Sequence, residues 1–290
     1  MSTEKSYVLG THDAEAVRLG LQHRLWSDAA HAAWRRAGIK PDSKVLDVGC
    51  GPGFGTFDLA QIVTGMTGGG LVVAMDESER YVERVTQGAA ARGHQGNVIA
   101  VRGDVQHIAA ALGAAKDRLS PRGYTGGSFF DAAYARWVLC FVPDPEAVVR
   151  GVAASLKPGG RFVVHDYFNY ESMTIAPRDK AFTRVIQAVG ASWRARGGDP
   201  DVVARIPGFM HRCGMDVEEL DVHQRVCRPH EPMWAWPDTF FRGYIPTLVE
   251  YGNLTPEEGR AGLAAWDRAC ADPDGFMSVP PMYEVIGRKR

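Results

Sequence analysis

Val45-Leu46-Asp47-Val48-Gly49-Cys50-Gly51-Pro52-Gly53-Phe54-Gly55 is the stretch whose reading decides the fold. An apolar run broken by one acidic residue opens into a turn with glycine at every second position, and a helix-like stretch, 56–64, follows. The pattern predicts a parallel strand feeding a tight turn into a helix. Glycine there lets a ligand approach the backbone, and the first helical N–H groups face that ligand. A nucleotide-like ligand is therefore expected. Spacing limits which one: the dinucleotide fingerprint is G-x-G-x-x-G, but the sixth position is Phe54 counted from Gly49 and Thr56 counted from Gly51. A nicotinamide dinucleotide is disfavoured.

Outward from this stretch the chain alternates strand and helix patterns. Leu71-Val72-Val73-Ala74-Met75 reads as a buried strand that stops at Asp76, with Glu77 beside it and an amphipathic stretch over 79–88. A carboxylate at that place can accept from both ribose hydroxyls, as acidic residues do in dinucleotide sites; helix capping is the alternative use. Asn97-Val98-Ile99-Ala100-Val101 is a third strand, closed by Arg102-Gly103-Asp104-Val105. Phe129-Phe130-Asp131-Ala132-Ala133-Tyr134-Ala135 is a fourth, with Arg136-Trp137-Val138-Leu139 at its carboxyl end. Asp144 caps and Pro145 opens the next helix. The turn Lys157-Pro158-Gly159-Gly160 then leads into a fifth strand over 161–166.

The glycine loop, D-x-G-x-G-x-G over Asp47, Gly49, Gly51 and Gly53, together with the Leu156-Lys157-Pro158-Gly159-Gly160 turn, resembles the class I S-adenosylmethionine (SAM)-dependent methyltransferases of bacterial small-molecule type. The resemblance runs through five strands in order. It implies a doubly wound α/β fold with a mostly parallel seven-stranded sheet, an antiparallel last strand over 283–289, and a preceding strand over 216–227. It also implies SAM as cofactor, leaving as S-adenosylhomocysteine (SAH). The loop, with Cys50 inside it, would cradle the methionine end, N–H dipoles toward the carboxylate. Asp76 and Glu77 would serve the ribose, and Asp104 and Val105 the adenine. Tyr7 would sit near the methionine end, and Arg136 would lie on the cofactor side or meet an acceptor carboxylate.

Three regions follow: an N-terminal helical cap (1–36), a cofactor-binding core (37–167), and helical lid insertions with the last two strands (168–290). The N-terminal helix carries Ala14, Val17, Leu21 and Leu25 on one face, read as packing. Residues 113–127 read as a polar surface loop, while a long helix over 179–196 and a proline-started, capping-box helix over 255–270 belong to the lid. Trp234, Trp236, Phe240, Phe241, Tyr244 and Tyr251, with Met233 and Trp193, suit a pocket wall and the lid's own core equally.

Methyl transfer gains much from orientation alone, about 7–11 kcal/mol for well-placed reactants, so a base is optional. If one acts, the end of the fifth strand is its place: His165 as a group able to titrate near neutrality, with Asp166, Tyr167 and Tyr170 around it. A hydrogen-bonded structural histidine is the alternative. His107 is placed near the adenine, His12 on the N-terminal helix, and His223 and His230 beside the lid. None has metal-ligand spacing, and the fourth strand ends in a cation, Arg136, so no metal is expected. The Asn/Asp-Pro-Pro-Tyr/Phe turn of amino-methyltransferases is replaced by Ala135-Arg136-Trp137-Val138.

Length and composition agree with this reading. A chain of 290 residues with 45% apolar content buries a substantial core. Its net charge of −1 gives no compositional footprint for nucleic acid or anionic membrane. The five cysteines are scattered without a C-x-x-C pair, so they read as small hydrophobes. No secretory apolar region or membrane-length run is present, so a soluble cytoplasmic protein is expected. The activity expected is methyl transfer to oxygen or nitrogen of a small-molecule acceptor; the rival is a protein that binds SAM without transferring methyl.

Overall fold

The computed structural model describes residues 13–65 and 67–290, with side chains from Glu15 onward. Seven strands form the central sheet: β1 (Lys44–Val48), β2 (Leu71–Asp76), β3 (Val98–Arg102), β4 (Phe130–Arg136), β5 (Leu156–Tyr167), β7 (Met215–His223) and β10 (Met282–Lys289), in the order β3-β2-β1-β4-β5-β10-β7. β1 pairs in parallel with both β2 and β4, so the strand order reverses between β1 and β4. β10 runs antiparallel to β5 and β7. A small antiparallel sheet of β6 (Thr174–Ala176), β9 (Phe276–Ser278) and β8 (Val226–Cys227) is formed by segments that follow β5. The lysine-proline-glycine-glycine turn is a bulge within β5, where pairing jumps from Phe130–Leu156 to Ala132–Arg161.

Alternation along the strands divides the core. Val45, Val72, Ala74, Tyr134, Val163 and Ile286 pack against α1 (Asp13–Arg36), α2 (Phe54–Val63) and α3 (Glu79–Ala91). Leu46, Val48, Val73, Met75, Phe162 and Val164 face the larger cluster, which includes side chains of α4 (Ile108–Ala114), α5 (Lys116–Leu119), α6 (Pro145–Ser155), α7 (Lys180–Ala195), α8 (Ile206–Arg212), α9 (Ala235–Glu250) and α10 (Pro256–Ala271). Thr255 and Glu258 form the expected capping box of α10.

Three expectations are corrected. Of the N-terminal helix's stripe, Leu25 packs half-buried on the core but Val17 is 72% exposed, and α1 buries Trp26, Ala30, Ala33 and Trp34; two indoles hold far more apolar area than the aliphatic stripe. The 113–127 segment is largely helical, with Leu119 and Tyr124 buried and Arg122 donating to the carbonyls of Gly68 (3.1 Å) and Gly70 (2.9 Å). Its apolar anchors are spaced too sparsely among polar residues to show a period. The strand expected over 216–227 is two strands in two sheets, divided at Gln224, whose amide donates to Val279 O (2.8 Å) and Ser278 Oγ (3.1 Å).

Candidate active site

A cavity of about 1030 Å³ opens at the carboxyl ends of β1 and β4, where the strand order reverses; ligands bind at that point in open α/β sheets. The glycine loop is one wall. Cys50 N–H donates to Met75 O (2.9 Å) and Gly53 N–H to Cys50 O (3.1 Å), closing the turn. Gly49 has no room for a side chain, since a Cβ would meet Val138 Cγ2 at 2.6 Å. Gly51 differs: its φ is +53° and a Cβ would project into open space, so the backbone there is left bare for a ligand. Gly53 begins α2 with no side-chain cap, leaving that helix's first N–H groups available to an anion.

Each strand end adds a carboxylate. Asp47 is buried, accepts from Thr56 Oγ1 (2.6 Å), and is pushed up to about 6 by burial, against the pull of Thr56 and Arg136. Asp76 accepts from Gly51 N–H (2.8 Å) and Ser78 N–H (2.9 Å), tying the loop to β2. Burial raises its pKa despite those donors. A carboxylate offers about four acceptor positions, so Asp76 retains capacity. Glu77, Asp104 and Val105 line the same part of the cavity. Asp104 accepts from Gln106 N–H (2.9 Å) as the cap of a short 3-10 turn, Val105–His107. Partial burial raises its pKa, but the Gln106 and His107 donors bring it below the ordinary value. Tyr81, 4% exposed, lines the cavity with its hydroxyl unpartnered among the described residues.

Beyond β4 the character changes. Trp137 is held at φ +52°, an uncommon conformation for a bulky residue and one concentrated at functional sites. Its ring meets Tyr167, Trp236 and Trp26 at centroid distances of 5.7–5.8 Å. Tyr170, Trp193, Phe240 and Phe241 extend this aromatic wall. The aromatic cluster over 234–251 thus divides: Trp236, Phe240 and Phe241 line the cavity, Trp234 and Tyr244 are buried without lining it, and Tyr251 is 45% exposed. Arg136 stands at the border. Its Nη2 donates to His23 Nδ1 (2.9 Å), whose Nε2 reaches Asp58 Oδ2 (3.0 Å), while its Nη1 is buried without a hydrogen-bond partner among the described residues. Arg18, Gln22 and His23 of α1 also line the cavity. Sequence reasoning missed them; the only signal was their spacing on the N-terminal helix.

Residues 39–191 match a family model described as a methyltransferase domain. The chain belongs to that family. It is a class I SAM-dependent methyltransferase, and SAM is its cofactor. The methyltransferase is 28% identical over 291 residues to a sterol 24-C-methyltransferase of Neurospora crassa, an alignment covering 89% of this chain and 68% of that one. It spans 29–55% of the length of four further sterol 24-C-methyltransferases. Among solved structures, geranyl diphosphate methyltransferase in complex with GPP and sinefungin has the same fold (TM-score 0.55, 15% identity, 92% of this chain and 77% of that one). So does the [4+2]-cyclase SpnF (TM-score 0.53, 16% identity, 90% and 80%). The bare Gly51 backbone and the uncapped α2 suit an adenosyl amino acid.

The methyltransferase places other predicted residues away from the cavity. His165 is fully buried and does not line it. Its Nε2 bonds Glu284 Oε2 (2.7 Å) and its Nδ1 meets Tyr134 OH (3.2 Å). Burial, opposed by Glu284, lowers its pKa. The expectation that His165 meets an acceptor is corrected: its side chain points to β10 and β4, a direction strand periodicity alone does not resolve at a twisted edge. Tyr167 and Tyr170 do line the cavity, with phenols pushed well above the ordinary value by burial. Asp166 spends its carboxylate on the N–H groups of Leu139 (2.9 Å), Cys140 (3.2 Å) and Tyr167 (2.9 Å). His165, His223 and Glu284 bring ligand-type atoms within 4.8 Å of one another, but Arg36 also occupies Glu284. His107 is exposed beside Asp104 (3.5 Å). Tyr7 and His12 lie outside the described residues.

Proposed function

We propose that this methyltransferase moves a methyl group to an oxygen or nitrogen of a small apolar acceptor by direct displacement, in the cytoplasm and without a metal. The observation that carries this reading is the make-up of the cavity: its described carboxylates, Asp47, Asp76, Glu77 and Asp104, belong to the ends of β1, β2 and β3, while Trp137, Tyr167, Tyr170, Trp193, Trp236 and Phe240 give the lining an aromatic wall. When bound, the cofactor supplies an electrophilic methyl group on a sulfonium. Asp76 and Glu77 would take the ribose hydroxyls, and Asp104 with Val105 N–H the adenine edge. Gly49, Cys50, Gly51 and Gly53, with the uncapped start of α2, would receive the methionine carboxylate; Asp47 would steady that end. Arg136 borders the cofactor through its backbone.

The acceptor half acts by shape. Trp137, Tyr167, Tyr170 and Trp236, held between β4, β5 and α9, exclude water and orient the nucleophile, with residues 168–290 acting as the lid. Tyr167 would contact the acceptor as a wall, since its phenol stays protonated at neutral pH. Carbon methylation of an alkene leaves a cation that must lose a proton, and the described lining of this half holds no carboxylate to take it. That supports a heteroatom acceptor. Calorimetry with SAM, SAH and NAD, followed by methyl-labelled SAM with a metabolite extract, tests the proposal. SAH binding without NAD binding, and label in a small product, are expected. Cofactor turnover with no labelled acceptor would favour the rival reading, for which the shared fold of a [4+2]-cyclase is the specific support.

A further inference from the structure

The cavity wall holds unpartnered polar groups of two kinds. Arg136 Nη1 and Trp137 Nε1 are sealed inside the wall. The hydroxyls of Tyr167 and Tyr170 are not: both residues line the cavity, and among the described residues neither hydroxyl has a hydrogen-bond partner or is enclosed by its neighbours. Their rings are nonetheless closely packed, the two residues being only 6% and 3% exposed, so the little surface each retains includes its hydroxyl. Tyr167 and Tyr170 meet edge to face (centroids 4.9 Å), and Trp193 closes on both (5.9 and 4.7 Å). The backbone beneath is fixed as well, since Tyr167 N–H donates to Asp166 Oδ1 (2.9 Å) and Tyr170 N–H to Asp201 Oδ1 (3.3 Å). Both hydroxyls are therefore positioned before a ligand arrives.

Gln22 of α1 supplies a third open group. Its Oε1 accepts from Arg18 Nη1 (3.1 Å) and Trp236 Nε1 (2.8 Å). Guanidinium and indole can only donate, so the amide cannot be turned over. Its Nε2 is left without a partner among the described residues, in a side chain that lines the cavity. Each nearby cation already has a partner: Arg18 pairs with Glu15 (2.6 Å), Arg136 acts on the Asp47 carboxylate, and Arg196 donates to Ser192 O (3.0 Å) and lies over the Tyr251 ring (3.6 Å). A charged ligand group here would lie buried without a counter-ion, which is costly. A hydrocarbon would leave the three donors unpaired. We propose that the acceptor carries uncharged carbonyl oxygen on its apolar, aromatic body, and that Tyr167, Tyr170 and Gln22 supply the hydrogen bonds to it. The inference rests on the methyl-transfer reading above and names its substrate class. Burial holds both phenols well above the ordinary value, so they stay donors through the neutral range.

Equilibrium dialysis of the SAH-loaded protein near neutral pH tests it with four probes on one frame. They are 2-acetonaphthone (a neutral carbonyl), 2-ethylnaphthalene (a hydrocarbon of similar shape), 2-naphthoate (an anion) and 1-(2-naphthyl)ethylamine (a cation). The ketone should bind about threefold to tenfold more tightly than the hydrocarbon, as neutral hydrogen bonds do, and both ions should bind more weakly than the ketone. Tyr167→Phe and Tyr170→Phe, which keep the rings, should each cost the ketone about twofold to fivefold while hydrocarbon and SAH affinities hold. Gln22→Glu keeps an oxygen for Arg18 and Trp236 but exchanges the open donor for an acceptor, so it should weaken the ketone and strengthen the amine. Hydrocarbon, anion or amine binding as tight as the ketone would overturn the proposal. So would a Tyr167→Phe/Tyr170→Phe double variant that binds SAH and keeps the full ketone preference, or a wild-type protein that binds SAH and ignores the ketone. Failure of the wild-type protein to bind SAH would instead overturn the cofactor reading beneath it.

Discussion

Two corners of the same sheet edge hold clusters of polar side chains, and they are used in opposite ways. At β5, β10 and β7, Glu284 is fully buried and accepts from His165 (2.7 Å), His223 (3.2 Å) and Arg36, while Arg36 also holds Glu219 (2.7 Å). The groups there are spent on one another. At β1, β2 and β4, Asp76 keeps acceptor capacity, and Tyr81 OH, Arg136 Nη1 and Trp137 Nε1 have no described partner. Burial and ionisable chemistry are common to both corners. What separates the two corners is that the Glu284 carboxylate is filled by protein donors, while Asp76 borders an open cavity with acceptor positions to spare.

Removing the centre of the closed corner should have the largest effect. Glu284→Ala should cost about 3–5 kcal/mol, the range for breaking a buried pair. That lowers the thermal midpoint by roughly 10 °C in a chain of this size and leaves the SAH affinity of the folded protein nearly unchanged. A normal midpoint would break the comparison. Because its partners hold the Glu284 carboxyl well below the usual range, its contribution is present above the unfolded glutamate value of about 4.3 and is lost as pH falls below it. Urea unfolding of Glu284→Gln should lack that acid-side loss.

The open corner should show the reverse sign. Asp47 is raised to about 6, so its ionisation begins to cost folded-state stability above the unfolded value of about 3.9, and the cost is complete above 6. Asp47→Asn should therefore stabilise the cofactor-free protein by up to about 3 kcal/mol above pH 7, with the gain vanishing near pH 4, while SAH binding weakens. Unfolding midpoints that match wild type at both pH values would remove the argument. Asp76→Ala should weaken SAH binding by about 1–3 kcal/mol; calorimetry showing unchanged affinity would unseat its ribose role. Smallest in stability is Gly51→Ala, about 1–2 kcal/mol for a side chain at positive φ, and its SAH affinity should fall further than its stability, since the Cβ occupies the bare space.

Much of the site was legible because it sits where the chain is locally constrained. A strand end followed by alternating glycines places Asp47, Gly51 and Asp76 together through one βαβ unit, and that geometry follows from steric limits on a few consecutive residues. The walls of the acceptor half were less legible. Trp193 and Trp236 meet Tyr167 and Trp137 only through the packing of α7 and α9 on the sheet, and His23 reaches Arg136 across 113 residues of sequence. The same limit explains His165. Its neighbour Glu284 comes from a strand 119 residues later, and nothing in the fifth strand's own pattern says that both imidazole nitrogens find protein partners.

By itself, the sequence determined the α/β alternation, the glycine turn, the acidic residues at successive strand ends and the capped helices, because backbone sterics, hydrophobic period and capping act over a few residues. Only the tertiary structure decided which polar groups are paired and which are left open. Partner satisfaction depends on segments brought side by side from distant parts of the chain, as Arg36 meets Glu284 and His23 meets Arg136.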